Sequence, residues 1–218
     1  MIPRLPRPIT YLITSGQLAP DATPESEEFK RLLRHTEAAV RANVSLIQLR
    51  EKQLTARTLH YLAESCAAIT RGTATRLLIN DRADIARATG ADGVHLTTRS
   101  LPARVVRETF GADFLIGVSA HNLDEARRAR DDGSDFATFS PVYATPSKSH
   151  LNLPPTGLKA LRRAAADLAP FPLVALGGIT RERTGEVLRA GARGFAGIRL
   201  FASDEDLESL VRWVNEEI

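Results

Sequence analysis

The sequence predicts a (β/α)8 barrel of the TIM-barrel class, a single domain over residues 1–218. Three observations predict it. Short runs rich in Val, Ile, Leu and Phe alternate with longer stretches at helical spacing, and this unit recurs eight times. The short runs are continuously apolar, as strands are when helices cover both faces of a parallel sheet. Eight units favour a closed barrel, because an open doubly wound sheet uses about five or six strands.

Each element follows from its own residues. "ITYLIT" (9–14) is the first strand, and "PESEEFKRLLRHTEAAVRAN" (24–43) is a helix with an acidic start that suits the helix dipole. "VSLIQLR" (44–50) is a strand, followed by the helix "TARTLHYLAESCAAIT" with Thr55 as N-cap. "TRLLIND" (75–81) is a strand and "RADIARATG" a short helix. "DGVHL" (92–96) is the fourth strand, and a helix runs from about Leu101 to Phe110. "DFLIGVSA" is a strand, and "NLDEARRARDDG" is a helix capped by Asn122. "DFATFSPV" is a strand, a Pro/Ser-rich loop runs from Tyr143 to about Pro155, and "TGLKALRRAAADLA" is a helix. "FPLVALGGI" is a strand, "TRERTGEVLRAGA" a helix, "RGFAGIRLF" a strand and "SDEDLESLVRWVNEEI" the last helix.

Composition narrows the function. The 218 residues are 43% hydrophobic and 25% charged, ordinary for a globular protein and against disorder as the main state. The net charge is +3 and the pI about 9.3, a mild bias towards anionic ligands. The arginines spread along helices, as in Arg127, Arg128 and Arg130, which suits solvated faces and small phosphate-bearing molecules, not nucleic acid. One cysteine, Cys66, excludes an intramolecular disulfide, and its apolar helical setting makes it a buried small hydrophobe. No apolar run approaches the length of a membrane span, and the prolines near the N-terminus break the pattern of a signal peptide. The expected location is cytoplasmic.

In such a barrel the chemistry sits at the C-terminal strand ends. On the second strand, alternation sends Gln48, Arg50 and Lys52 towards the mouth and Ile47, Leu49 and Glu51 the other way. A polar row aimed inwards costs stability unless it meets a ligand or a partner. The bland alternative is that Arg50 and Lys52 pair with Asp81 or Glu51. The third strand ends in Asn80 and Asp81, and the fifth in Ser119 and His121. Asp81 is the best single carboxylate for Mg2+, which takes one or two protein carboxylates plus substrate phosphates; the alternative is a helix cap or an arginine partner. "ATPSKSH" (144–150) offers Thr145, Ser147 and Lys148 to phosphate oxygens. Gly177 and Gly178 let backbone N–H groups approach an anion where the seventh helix begins, and Gly197, Ile198 and Arg199 end the eighth strand close by. Two anion sites follow, one from the sixth loop and one from the seventh and eighth. His95, inside an apolar strand, is expected to be a hydrogen-bonded core histidine. No partner is legible for His121 or His150.

Together these pieces resemble the thiamine phosphate synthase family, which includes the TenI-like thiazole tautomerases. The resemblance runs from "YLIT" to "GFAGI" and is carried by "IQLREK", "INDRADIA", "ADGVHL", "IGVSAHN", "FSPVYATPSK" and "LVALGGI". It implies an enzyme joining a hydroxymethylpyrimidine diphosphate to a thiazole phosphate, with thiamine phosphate and pyrophosphate as products. It also implies that Gln48, Arg50, Lys52, Asn80, Ser119 and Lys148 contact the pyrimidine diphosphate, with Arg50, Lys52, Ser119 and Lys148 as the catalytic set. By the same resemblance Asp81 holds Mg2+, Thr145 and Ser147 face the thiazole substrate, and Gly177, Gly178, Gly197 and Ile198 cradle its phosphate. A homodimer is compatible with the family, though nothing in the residues requires one.

"ADGVHLTTRSLP" (91–102) departs from the pattern. Synthases carry Gly-Gln and then an acidic pair after "GVHL", and the second acid is a Mg2+ ligand. Here Thr97 and Thr98 replace Gly-Gln, and Ser100 stands at the second acid, with Arg99 beside it. This feature leans to the tautomerase branch. The intact "IQLREK", and Pro141 where the tautomerase has a histidine, lean to the synthase. Arg199 replaces a usually small residue. Three readings stay open: synthase with a weakened Mg2+ site, TenI-like enzyme, and catalytically silent ligand-binding protein.

Overall fold

The computed structural model describes residues 5–145 and 154–217. Eight parallel strands close into one barrel in the order β1 to β8, with β8 paired back to β1. The strands are β1 (Ile9–Ile13), β2 (Leu46–Leu49), β3 (Arg76–Asn80), β4 (Gly93–Leu96), β5 (Leu115–Ala120), β6 (Phe136–Phe139), β7 (Leu173–Leu176) and β8 (Gly194–Gly197). The helices are α1 (Glu27–Arg41), α2 (Ala56–Thr70), α3 (Ala83–Thr89), α4 (Ala103–Phe110), α5 (Leu123–Asp131), α6 (Gly157–Leu168), α7 (Arg181–Arg189) and α8 (Asp204–Glu217). All sixteen expected elements are present, with several boundaries corrected. The first helix starts at Glu27, three residues later than expected, and the sixth and seventh strands stop at Phe139 and Leu176, each three residues earlier than expected. The eighth strand stops at Gly197, and Arg199–Phe201 form a 3-10 turn instead of continuing it. The fourth helix starts two residues later than expected, after Pro102, which suits Pro with its fixed φ just outside a first turn.

Strand parity divides the core in two. Outward residues such as Leu12, Ile47, Leu49, Ile79, Val94 and Ile116 pack against the helices. Inward residues Tyr11, Leu46, Leu78, Leu115, Phe136 and Val174 fill the barrel as a second cluster. Gln48 shares parity with Leu46 and is buried inside, as alternation predicted. Thr55 caps α2 by accepting from Thr58 N at 3.2 Å. Asn122 caps α5 by accepting from Glu125 N at 2.9 Å, and its own amide donates back to Glu125 Oε1. Cys66 is buried, and burial pushes its thiol up to about 12, so it behaves as an inert hydrophobe.

Candidate active site

The C-terminal strand ends bring the candidates together. Gln48 Nε2 donates to Asn80 Oδ1 at 3.4 Å, linking β2 and β3 at the mouth. Arg50 is half-buried and Lys52 exposed at the same rim. Neither makes an ion pair with a described carboxylate, so the alternative of a closed structural network is not what these residues form. Burial, and then the charges of Arg50 and Arg99, hold the Lys52 ammonium below its ordinary pKa, opposed by Asp81. These four charges therefore share one space.

Glu51 has a different role. It is buried, and its carboxylate accepts from Thr14 Oγ1 at 2.6 Å, Gly16 N at 3.0 Å and Leu18 N at 3.1 Å. It ties the first loop to β2 and leaves the neighbouring cations free. Asp81 is exposed, with φ at +60°, a left-handed position rare outside glycine. Its N–H donates to His95 O at 2.9 Å. Its carboxylate does not cap α3, whose N-cap is Arg82, and it pairs with no arginine among the described residues; Arg82 pairs with Asp84.

The knot after β4 is self-contained. Thr97 N donates to Ser100 Oγ at 2.7 Å, the two hydroxyls lie 3.0 Å apart, and Ser100 N donates to Thr97 O at 3.1 Å. Thr97, Thr98, Ser100 and Ser119 line one cavity of about 320 Å3 with Glu125 and Arg128. His121, for which no partner was legible, is held at 2.8 Å from Ser140 O through Nδ1, while its N–H donates to Glu125 Oε2. It is a structural tie across β5 and β6.

Loops six and seven are zipped together. Val142 N donates to Leu176 O and Tyr143 N to Gly177 O. Gly177 and Gly178 have φ of +97° and +64°, and a Cβ on either would lie 2.7 Å from loop-six atoms. Both glycines are thus demanded by packing as well as by any ligand. Among the described residues the N–H groups of Gly177, Gly178 and Ile198 make no backbone hydrogen bond, which leaves them available to an anion. Gly178, Arg181, Arg183 and Arg199 border a cavity of about 490 Å3. Arg183 is spent on Gly178 O and the Tyr143 ring, and Arg181 on Ser209 and Trp213. Arg199 is exposed without a described partner. Gly197 is buried at the end of β8, paired with Leu12. Thr145 is half-buried in loop six. Ser147, Lys148 and His150 lie outside the described residues.

Residue reasoning missed Tyr11 and Thr138. Tyr11 is buried inside the barrel against His95, and Thr138 Oγ1 is buried without a hydrogen-bond partner beside Ser119 in the β5–β6 register. Only strand parity signalled them, because both sit in mainly apolar strand runs that carry no motif. No group of three or more His, Cys, Asp or Glu able to hold a metal occurs among the described residues. Asp81 supplies one free carboxylate, which fits a Mg2+ carried chiefly by substrate phosphates and not a protein cage. Among the described residues no helix is long and apolar enough to cross a membrane.

Residues 11–201 match the family model described as thiamine monophosphate synthase. The chain is 42% identical over 174 residues to the thiamine-phosphate synthase of Chlorobium luteolum, covering 80% of this chain and 81% of that one. It is 38% identical over 202 residues to the thiamine-phosphate synthase of Syntrophomonas wolfei, covering 93% and 92%. Among solved structures, thiamine phosphate pyrophosphorylase from Pyrococcus furiosus superposes with a TM-score of 0.77 at 27% identity, covering 95% of this chain and 98% of that one.

Proposed function

The chain belongs to the thiamine monophosphate synthase family, and from that premise we propose that it joins a hydroxymethylpyrimidine diphosphate to a thiazole phosphate, a pyrimidinylmethyl transfer that forms thiamine phosphate. The observation that carries this reading is the mouth itself. Gln48, Asn80 and Ser119 present neutral hydrogen-bonding groups beside Arg50 and Lys52, two cations with no carboxylate partner among the described residues. Such a surface is completed by an anion with several oxygens.

The bond between the pyrimidinylmethyl carbon and the diphosphate oxygen breaks first, and its electron pair leaves with the diphosphate. The thiazole nitrogen then gives its lone pair to the carbon and becomes the thiazolium of the product. Arg50, Lys52 and Ser119 stabilise the charge that grows on the leaving oxygen. Gln48 and Asn80 orient the pyrimidine, and the N–H groups at Gly177, Gly178 and Ile198 hold the thiazole phosphate in line. The family resemblance assigns Lys148 to the diphosphate, and Thr145 and Ser147 to the thiazole substrate. Asp81 is the residue that would hold Mg2+, whose contribution is to neutralise diphosphate charge.

The missing acid at Ser100 favours a second reading, a thiazole tautomerase that makes no C–N bond. One experiment separates them. Purified protein incubated with both substrates and a Mg2+ series is assayed for thiamine phosphate. Product is expected, and Asp81→Ala should slow its formation at low Mg2+. No product at any Mg2+ concentration, with turnover of the thiazole tautomer, would establish the second reading. Unchanged Mg2+ dependence in Asp81→Ala would remove Asp81 from the metal site.

A further inference from the structure

Tyr11, His95 and Ser119 stand on β1, β4 and β5 and form one hydrogen-bonded chain inside the barrel. Tyr11 Oη lies 3.0 Å from His95 Nδ1, and His95 Nε2 lies 3.0 Å from Ser119 Oγ. Phe136 closes the cage, its ring centroid 5.6 Å from Tyr11 and 6.0 Å from His95. Gly117 makes room for the imidazole, since a Cβ there would stand 2.8 Å from Nδ1. The chain runs from the buried core to Ser119, which is half-buried at the mouth cavity.

Tyr11 is fully buried, and His95 Nδ1 is its one hydrogen-bond partner among the described residues. A buried O–H left without an acceptor loses its hydrogen bond to water and gains nothing in exchange. The phenol hydrogen therefore goes to Nδ1. Burial also raises the Tyr11 pKa well above its ordinary value, so the phenol keeps that hydrogen. A nitrogen that accepts carries no proton, so the neutral ring holds its proton on Nε2. Nε2–H donates to Ser119 Oγ, and the serine hydrogen turns away from the ring.

We propose that Tyr11 and His95 are positioning residues that set Ser119 as a hydrogen-bond donor to the departing diphosphate oxygen and bar it from acting as a base or nucleophile. The identity of the anion rests on the synthase reading above. The reverse order, with Nδ1–H donating to Tyr11, would strand the phenol hydrogen and give His95 a lone pair aimed at Ser119, the arrangement of an activated nucleophile. The proposed transfer takes no proton from a substrate as the C–O bond breaks, so a donor is what it requires.

Two measurements test this. Nitrogen-15 NMR of the full chain, with the His95 signal identified by its loss in His95→Gln, should show Nδ1 as pyridine-type and Nε2 as pyrrole-type. A protonated Nδ1 would overturn the proposal. Binding of inorganic pyrophosphate with Mg2+ is then measured by calorimetry in a double-mutant cycle. Ser119→Ala should weaken it about tenfold, the scale of one hydrogen bond to a charged group. His95→Leu should cause a similar loss alone and no further loss in the Ser119→Ala background, and His95→Gln, which keeps a donor, should recover part of it. Additive losses would overturn the proposal and leave His95 a packing residue. The expected tautomer without pyrophosphate binding by the unaltered protein would overturn the diphosphate reading of the mouth instead, so the two failures are distinct.

Discussion

Lys52 stands at the barrel mouth among three other charges, and partial burial together with those charges sets its proton. Burial, Arg50 and Arg99 lower its pKa while Asp81 opposes. The ammonium is therefore lost at a lower pH than an ordinary lysine's. Pyrophosphate binding that needs this charge falls as pH rises through that lowered value. Arg99→Ala removes one of the lowering charges, so the alkaline limb of pyrophosphate affinity should move to higher pH. A limb that stays in place would show that Arg99 does not act on Lys52. Ser100 poses the complementary question. Its hydroxyl oxygen accepts from Thr97 N, a task that one carboxylate oxygen performs equally well, leaving the other free. Ser100→Asp should therefore lower the Mg2+ concentration needed for half-maximal synthase activity. An unchanged Mg2+ titration would mean that the knot does not face the metal.

The elements owe their placement to ties that the helical and strand patterns do not display. Arg107 in α4 donates to the carbonyls of Gly111, Ala112, Phe114 and Gly133, and pairs with Asp135 at 2.7 Å. Asp135 in turn accepts from Ile116 N at 2.7 Å. One guanidinium thus fixes the entries to β5 and β6. Burial raises the Asp135 pKa, against the lowering effects of Ile116 N and Arg107; removing the arginine leaves a partly buried carboxylate with less compensation. Arg107→Ala should cost about 2–4 kcal/mol in urea unfolding. A loss below about 0.5 kcal/mol would show the hub to be ornamental. The strand periods and Thr55 and Asn122 caps were legible because they are local. The end of β8 was not. "RGFAGIRLF" stays rich in apolar residues past Gly197, at Ile198, Leu200 and Phe201, but Arg199–Phe201 turn into a 3-10 segment, where Phe201 stacks on Phe195 at 6.3 Å.

At the scale of the molecule, the rim depends on closure, because the ends of β2 and β3, with Gln48 and Asn80, and the ends of β7 and β8, with Gly177 and Ile198, belong to one ring only when β8 pairs with β1. Closure is made by β8 pairing with β1, and Gly194 sits opposite Ile9 at that seam. A Cβ on Gly194 would collide with Ile9 O, which is backbone and cannot swing aside. Gly194→Ala should destabilise the fold by more than about 3 kcal/mol by thermal or urea unfolding; a near-neutral effect would mean that the seam has slack. The eight repeats, the barrel, and the rim positions of Gln48, Arg50, Lys52, Asn80 and Asp81 are legible along the chain, because periodicity and strand-end placement are properties of short segments. His95 is also legible there as a bonded histidine of the core. What those groups touch is fixed across strands by the folded barrel. It gave Glu51 to the first loop, tied His121 to Ser140, closed Ser100 onto Thr97, and joined Tyr11 to Ser119 through His95 across 108 positions of chain (119 less 11). The physical reason is that hydrogen-bond partners on different strands are chosen by barrel register, and no local pattern of residues records that register.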